Sequence, residues 1–270
     1  MENTKANKLL KLFLYIVFFT ILAPMAILLL WTFVNRWSWP NLLPESYSLR
    51  GIGEIFAPHA KVFPVLFSSI LLSLSVALLS AIVGIMTARA LVLYDFRGKR
   101  LINILSLGPN LVPAAVFAMG THVLFIKISL ADTVLGVIII HLIYTLPYSV
   151  YIIKDLTESI GVQMELQAYV LGASPLKSFI YVTLPLLTPG IITSISMAYI
   201  TSFSQYFISL LIGGGKVKTF SVLMVPFIAK GDRTIASAYA LIFVISTLSV
   251  FIIIDKIIKK LPYQSKKGEI

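Results

Sequence analysis

The sequence predicts an all-α polytopic membrane protein with six transmembrane helices, and three observations carry that prediction. Apolar residues make up 58% of the 270 and charged residues only 12%, against roughly 45–50% and 25% in a soluble domain. Uncharged windows recur at 12–34, 62–88, 101–126, 133–153, 178–215 and 234–254, each long enough for the roughly 20 residues that cross hydrocarbon. Basic residues outnumber acidic ones, 22 to 11, and an excess of this kind beside membrane spans reflects topology rather than nucleic acid as a partner. Zero cysteines and three histidines exclude disulfides and thiolate metal sites and leave no expected metal centre. With no repeat, low-complexity tract or long linker, residues 1–270 read as a single transmembrane domain.

Each window is justified in turn. Lys5, Lys8 and Lys11 precede the first, but its length exceeds the roughly 7–15 apolar residues of a signal peptide and no small-x-small site follows, so it is a helix. Trp31, Trp37 and Trp39 at its far end suit an interfacial aromatic belt. The second, third and fourth windows are one helix each, the fourth with a possible hinge at Pro147. The fifth is too long for one crossing, and Pro185, Pro189 and Gly190 punctuate its start, so the membrane helix is expected to begin near Pro185. Residues 217–229, which include Pro226, are apolar but too short to span and suit an outer re-entrant or interfacial segment. Six crossings place both termini on one side. That side holds 14 of the 22 lysines and arginines, including Arg97, Lys99, Arg100, Lys154, Lys177 and the tail pair Lys266 and Lys267, which puts both termini in the cytoplasm.

The long polar segment on that side reads KDLTESIGVQMELQAYVLGASPLKSFIYVTLPLLTPG from Lys154 to Gly190. Val162, Leu166, Tyr169 and Val170 fall on one apolar face of a short helix, and Gln163, Glu165 and Gln167 lie off it. Gly172 suits the left-handed position that ends a helix, Ser174 the next N-cap and Pro175 the first position of the following helix. By periodicity alone such a helix lies in lipid headgroups as readily as on a protein.

This segment resembles the EAA loop of binding-protein-dependent ABC importer permeases. Gly172, nine residues, then Val182-Thr183-Leu184-Pro185 matches that pattern in spacing, with Val for the usual Ile, while the acid is displaced by one position: Leu166 stands where the family carries Glu, Glu165 precedes it, Gln167 replaces the first Ala and Ala168 keeps the second. DFRGKRLINILSLGPNLVPAAVFAMG, with Pro109 and Pro113, is similar to the family's basic cytoplasmic turn and next helix, and SFSQYFISLLIGGG to the fifth helix and outer turn of the polyamine, thiamine, iron and phosphonate branch. The likeness covers about residues 60–255, with the coupling loop at 154–184. It implies the type I permease fold of ABC importers, set in a bacterial inner (cytoplasmic) membrane. A cytoplasmic coupling helix would contact an ATPase through Glu165, Leu166, Ala168, Tyr169, Gly172, Ala173, Ser174, Pro175, Leu184 and Pro185. Implied partners are two ATPase copies, a second permease, an extracytoplasmic solute-binding protein and membrane lipid.

Chemistry within the chain is sparse. No acidic residue lies inside the windows, which removes the usual ion relay of a secondary transporter. No phosphate-binding loop occurs, since Gly213-Gly214-Gly215-Lys216 lacks the spacing. ATP and Mg therefore belong to a separate ATPase, no cofactor is expected here, and the chain is a transport subunit rather than an enzyme. A secondary transporter or channel acting without an ATPase is the alternative; a membrane-embedded enzyme has no nucleophile–base cluster to support it. Candidates for the translocation path are Ser204, Gln205, His141 and Tyr144. For His141, as for His122, hydrogen bonding between helices is the competing reading. Ser204 and Gln205 stand where some polyamine permeases carry two Asp, and neutral groups there argue against strong cation coordination; the resemblance implies a small solute, polyamine-like or another small organic molecule. The basic turn from Tyr94 to Arg100 reads as a topology signal and headgroup contact.

Overall fold

The computed structural model describes residues 2–38, 40–106, 108 and 112–259; Trp39, Pro109, Lys260, Lys266 and Lys267 lie outside them. Two compact units divide the chain, residues 1–62 with 224–246 and residues 63–223 with 247–270.

In the first unit α1 (Glu2–Thr32) leads into a two-stranded antiparallel hairpin, β1 (Val34–Arg36) and β2 (Ser46–Tyr47), and then α2 (Arg50–Phe56). Trp31 and Trp37 stack with centroids 5.2 Å apart, and the Arg233 guanidinium sits 5.2 Å from the Trp31 ring. Arg50 pairs with Asp232 at 2.7 Å, and the Thr234 hydroxyl donates to the Val34 carbonyl at 2.5 Å. These bonds satisfy the hairpin edge and fix its aromatic end, the arrangement an interfacial belt requires.

The second unit is built on α3 (Val62–Leu93), α6 (Val134–Ile160) and α9 (Leu184–Phe203). Ala88, Ile153 and Leu187 form a buried knot near the ends of these helices, and Leu72, Val76, Ile140, Tyr144, Ile208 and Ile212 belong to a larger cluster further along. Ser80 and Ser149 hydroxyls meet at 2.7 Å between α3 and α6. Small polar contacts suit helices in lipid, where apolar side chains gain little by leaving one apolar medium for another.

Among the described residues, five helices are long and apolar enough to cross a membrane: Leu10–Thr32, Val62–Leu93, Val134–Ile160, Pro175–Phe203 and Arg233–Ile257. Among the described residues, the single helix expected over 101–126 is instead broken, with α4 (Lys99–Leu105) ending before α5 (Ala114–Lys127) begins. Pro113 holds extended backbone (φ −53°, ψ 130°) at the N-cap of α5, and a proline also disfavours helical geometry at the residue before it. At 14 residues α5 rises only about 21 Å. Among the described residues, then, the third apolar window is carried by short helices and not by one spanning helix.

The fifth helix also begins earlier than expected. After α7 (Gln163–Val170), α8 (Pro175–Ser178) runs through a π-helical segment, Phe179–Thr183, straight into α9. Pro185 has no N–H to give to the carbonyl four residues back, and its ring crowds that carbonyl. The ladder therefore shifts register by one just ahead of it, with Leu184 N–H donating to the Phe179 carbonyl. Pro185 is absorbed within the helix rather than starting it. After α9 come α10 (Phe207–Gly213), α11 (Phe220–Ala229), too short to span, and α12 (Arg233–Lys259).

Candidate functional site

The loop from Gly161 to Pro175 folds as its local chemistry dictates. α7 ends in Gly172 at φ +85°, a conformation that opposes a side chain. Gly172 N–H donates to the Tyr169 carbonyl at 2.9 Å and Ala173 N–H to the Ala168 carbonyl at 3.0 Å, the paired bonds that close a helix end. Ser174 then caps the next helix, its hydroxyl accepting from Lys177 N–H at 3.4 Å, and Pro175 follows at the first position. The two helix ends are linked through a single turn.

α7 is oriented with its apolar residues outward. Val162, Met164, Leu166 and Tyr169 are exposed, and Val170 and Leu171 are 88% and 87% accessible. Ala168 is buried, and the carboxylate of Glu165 points into the protein. Glu165, off the apolar face, pairs with Arg89 at 2.7 Å, with only 12% and 18% of the two side chains accessible. The Thr183 hydroxyl donates to the same carboxylate, and the Arg89 guanidinium lies 5.1 Å from the Phe179 ring centroid. α7, the end of α3 and the π segment are thereby joined at one point. Burial by itself raises the Glu165 carboxyl; the Arg89 and Thr183 hydrogen bonds and the Arg89 charge outweigh it and hold the group below its ordinary value of 4.5. Sequence reasoning missed Arg89 and Thr183. The available signal was that Arg89 is the one charge in the apolar stretch 62–93, and such a charge requires a partner.

A second feature is the break between α9 and α10. Ser204 to Tyr206 leave helical geometry, and the Gln205 carbonyl so exposed accepts from the Ser209 and Ser221 hydroxyls, each at 2.6 Å. Irregular backbone at membrane depth requires this kind of internal satisfaction. Ser204 is exposed and Gln205 half-buried at the break. His141 is fully buried, its Nδ1 2.9 Å from Ser202 Oγ and its Nε2 2.9 Å from Ser209 Oγ. Because Ser209 gives its proton to the Gln205 carbonyl, Nε2 is the donor to Ser209. His141 thus braces the break from within, the interhelical reading, and reaches no surface of the chain. Tyr144 is also buried, edge-on to Phe117 with centroids 5.5 Å apart, and its hydroxyl has no partner among the described residues. His122 is half-buried on α5.

The glycine run at 213–215 ends α10. Gly214 is left-handed at φ +52°, and a Cβ there would fall 1.7 Å from Asp132 Oδ1. Asp132 in turn pairs with Lys216 at 3.1 Å and donates its N–H to the Ile212 carbonyl. Among the described residues no cluster of metal-ligating side chains occurs.

Residues 80–262 match the family described as binding-protein-dependent transport system inner membrane component. This chain belongs to that family. It is a permease subunit of a binding-protein-dependent ABC importer, an inner-membrane transport component, and ATP hydrolysis falls to a separate subunit, which sets aside a transporter or channel working without an ATPase. Among its relatives, a putative 2-aminoethylphosphonate transport system permease protein of Salmonella typhi is 23% identical over 92% of this chain and 93% of its own length. A spermidine/putrescine transport system permease homologue of Mycoplasma genitalium is 29% identical over 70% of this chain and 67% of its own. In fold, a bacterial ABC transporter involved in import of the acidic polysaccharide alginate superposes with a TM-score of 0.70, at 16% identity, covering 95% of this chain and 97% of that one. The family implies an ATPase, a partner permease and a solute-binding protein.

The Glu165–Arg89 pair yields a prediction with a sign. A partly buried pair falls between the roughly 0–1 kcal/mol of exposed ones and the 3–5 kcal/mol lost on breaking buried ones, so Glu165→Gln should destabilise the protein by about 2 kcal/mol at neutral pH. Because the folded carboxyl lies below its unfolded value, the contribution is complete above pH 4.5 and is lost as pH falls through the folded value. Melting temperatures in detergent should differ between wild type and variant at neutral pH and converge in acid. A difference independent of pH would contradict the assignment.

Proposed function

We propose that this permease, paired with a second permease, forms the translocation pathway for a small organic solute delivered by an extracytoplasmic solute-binding protein. Two ATPase copies carrying ATP and Mg engage the loop around Gly172 from the cytoplasm, where both termini lie. One observation carries this reading: α7 exposes Val162, Leu166, Tyr169 and Val170 and turns its carboxylate inward. An apolar helix face in water is unfavourable unless a partner covers it. ATPase closure would press on that face, and the Schellman turn at Gly172 with the Glu165–Arg89 pair would carry the displacement into α9 and α3, alternately opening the path to either side.

Ser204 and Gln205, at the break of the fifth helix, are the residues we place on that path; Tyr144 with its unpartnered hydroxyl is a further candidate, while His141 supports the break from behind. Relatives are named for 2-aminoethylphosphonate and for spermidine/putrescine. Neutral Ser204 and Gln205 favour hydrogen bonding to a polar solute over charge pairing with a polycation.

Leu166→Asp places a charge in a contact that must be desolvated, at a cost of several kcal/mol. Gly172→Val forces a β-branched residue into positive φ and mis-aims the next helix. Both should abolish co-purification of the ATPase and its stimulation by the loaded binding protein; full retention in both would overturn the coupling role. For orientation, single cysteines can be placed in a chain that has none. A membrane-impermeant thiol probe should label position 216 from outside and position 266 only after permeabilisation, and the reverse pattern would invert the topology.

A further inference from the structure

Away from the coupling loop, α3, α4 and α6 enclose a groove that is polar at one end and apolar at the other. Its polar end is a cavity of about 630 Å³ bounded by Leu91 and Phe96, with Lys99, Arg100, Asn103 and Lys154 on its walls. Its apolar end is a crevice of about 240 Å³ lined by Val83, Thr87, Leu105, Leu146 and Val150. The two are stacked. Thr87 and Leu91 stand four apart on α3, Val150 and Lys154 four apart on α6, and Ile102 and Asn103 are neighbours on α4. Residues at that helical spacing share a face, one turn apart.

Charge at the polar end is unbalanced toward the positive. Lys99 bonds Asp95 at 2.9 Å. Lys154 approaches the Asn103 side-chain oxygen at 3.3 Å and Glu158 only at 3.8 Å. Arg100 is exposed, with no ion pair among the described residues. Three cations thus face one lining carboxylate, Glu158.

We propose that this groove is a binding site for an anionic phospholipid, its phosphate among Lys99, Arg100 and Lys154 and the first part of one acyl chain in the crevice beside Val150. Basic pockets between membrane helices select anionic headgroups by charge. The crevice separates a lipid from a free phosphate, which would leave it empty. Specific occupancy goes beyond the solvation that any membrane protein receives, and it would tie α4 to the end of α6 that carries the coupling loop. The solute and the ATPase have no part in the argument, so the test is independent of the transport reading.

The experiment is native mass spectrometry of the complete transporter in detergent, titrated with phosphatidylglycerol or phosphatidylcholine of identical chains. A parallel titration uses glycerol 1-phosphate, the headgroup anion without chains. Phosphatidylglycerol should be retained in preference to phosphatidylcholine, by about fivefold for each cation engaged, and Arg100→Gln and Lys154→Gln should each remove about fivefold of that preference. Arg100 is exposed and unpaired, so its variant keeps the fold. Val150→Trp, which fills the crevice, should reduce retention of both lipids, and glycerol 1-phosphate should fail to displace phosphatidylglycerol. Equal retention of the two lipids, an undiminished preference in the Arg100→Gln/Lys154→Gln double variant, or displacement by glycerol 1-phosphate would each overturn the proposal.

Discussion

The ion pair between Arg89 and Glu165 is the contact on which the placement of α7 against the membrane helices of this permease depends. A guanidinium at the end of an apolar helix and a carboxylate on a short surface helix are each unfavourable where they stand. Together, with the Thr183 hydroxyl on the same carboxylate and the Phe179 ring against the guanidinium, they satisfy one another. The consequence is geometric. α7 is held with its carboxylate inward, which leaves its leucine, tyrosine and valines facing out, and a surface of that kind is what an ATPase subunit can cover.

The same contact relates α7 to the irregular start of the fifth membrane helix. Thr183 is the last residue of the π segment that Pro185 imposes. The carboxylate therefore touches the helix at the point where its hydrogen-bond ladder has already shifted register, where a small displacement disturbs the fewest regular bonds. Further along the same helix a second irregularity, at Ser204–Tyr206, is held by His141, Ser209 and Ser221. The fifth membrane helix is thus bound at one defect by the loop and interrupted at another near Gln205.

Legibility in the sequence follows the range of the interactions involved. Helix, turn and helix around Gly172, Ser174 and Pro175 were readable because each is decided by bonds within a few residues. Spans were readable from uncharged length, except where prolines mattered. Pro113 divided the window at 101–126 and Pro185 did not divide the one after 175, because a proline's effect depends on whether the surrounding ladder can shift register. Arg89 with Glu165 and His141 with Ser202 and Ser209 are long-range pairs, and periodicity carries no information on which helices meet. From the sequence Glu165 is placed only off the apolar face, and that position is what turns it toward α3.

Amide hydrogen exchange across residues 163–171 of the assembled permease tests the central claim most directly, because local exchange reports the free energy of opening that segment. With Arg89→Gln, Glu165→Gln and the double variant compared in a cycle, each single substitution should speed exchange of α7 and the double should add little, since either one removes the same interaction. Exchange unchanged from wild type in the single variants, or effects that simply add as free energies in the double, would show that the pair does not hold the coupling helix.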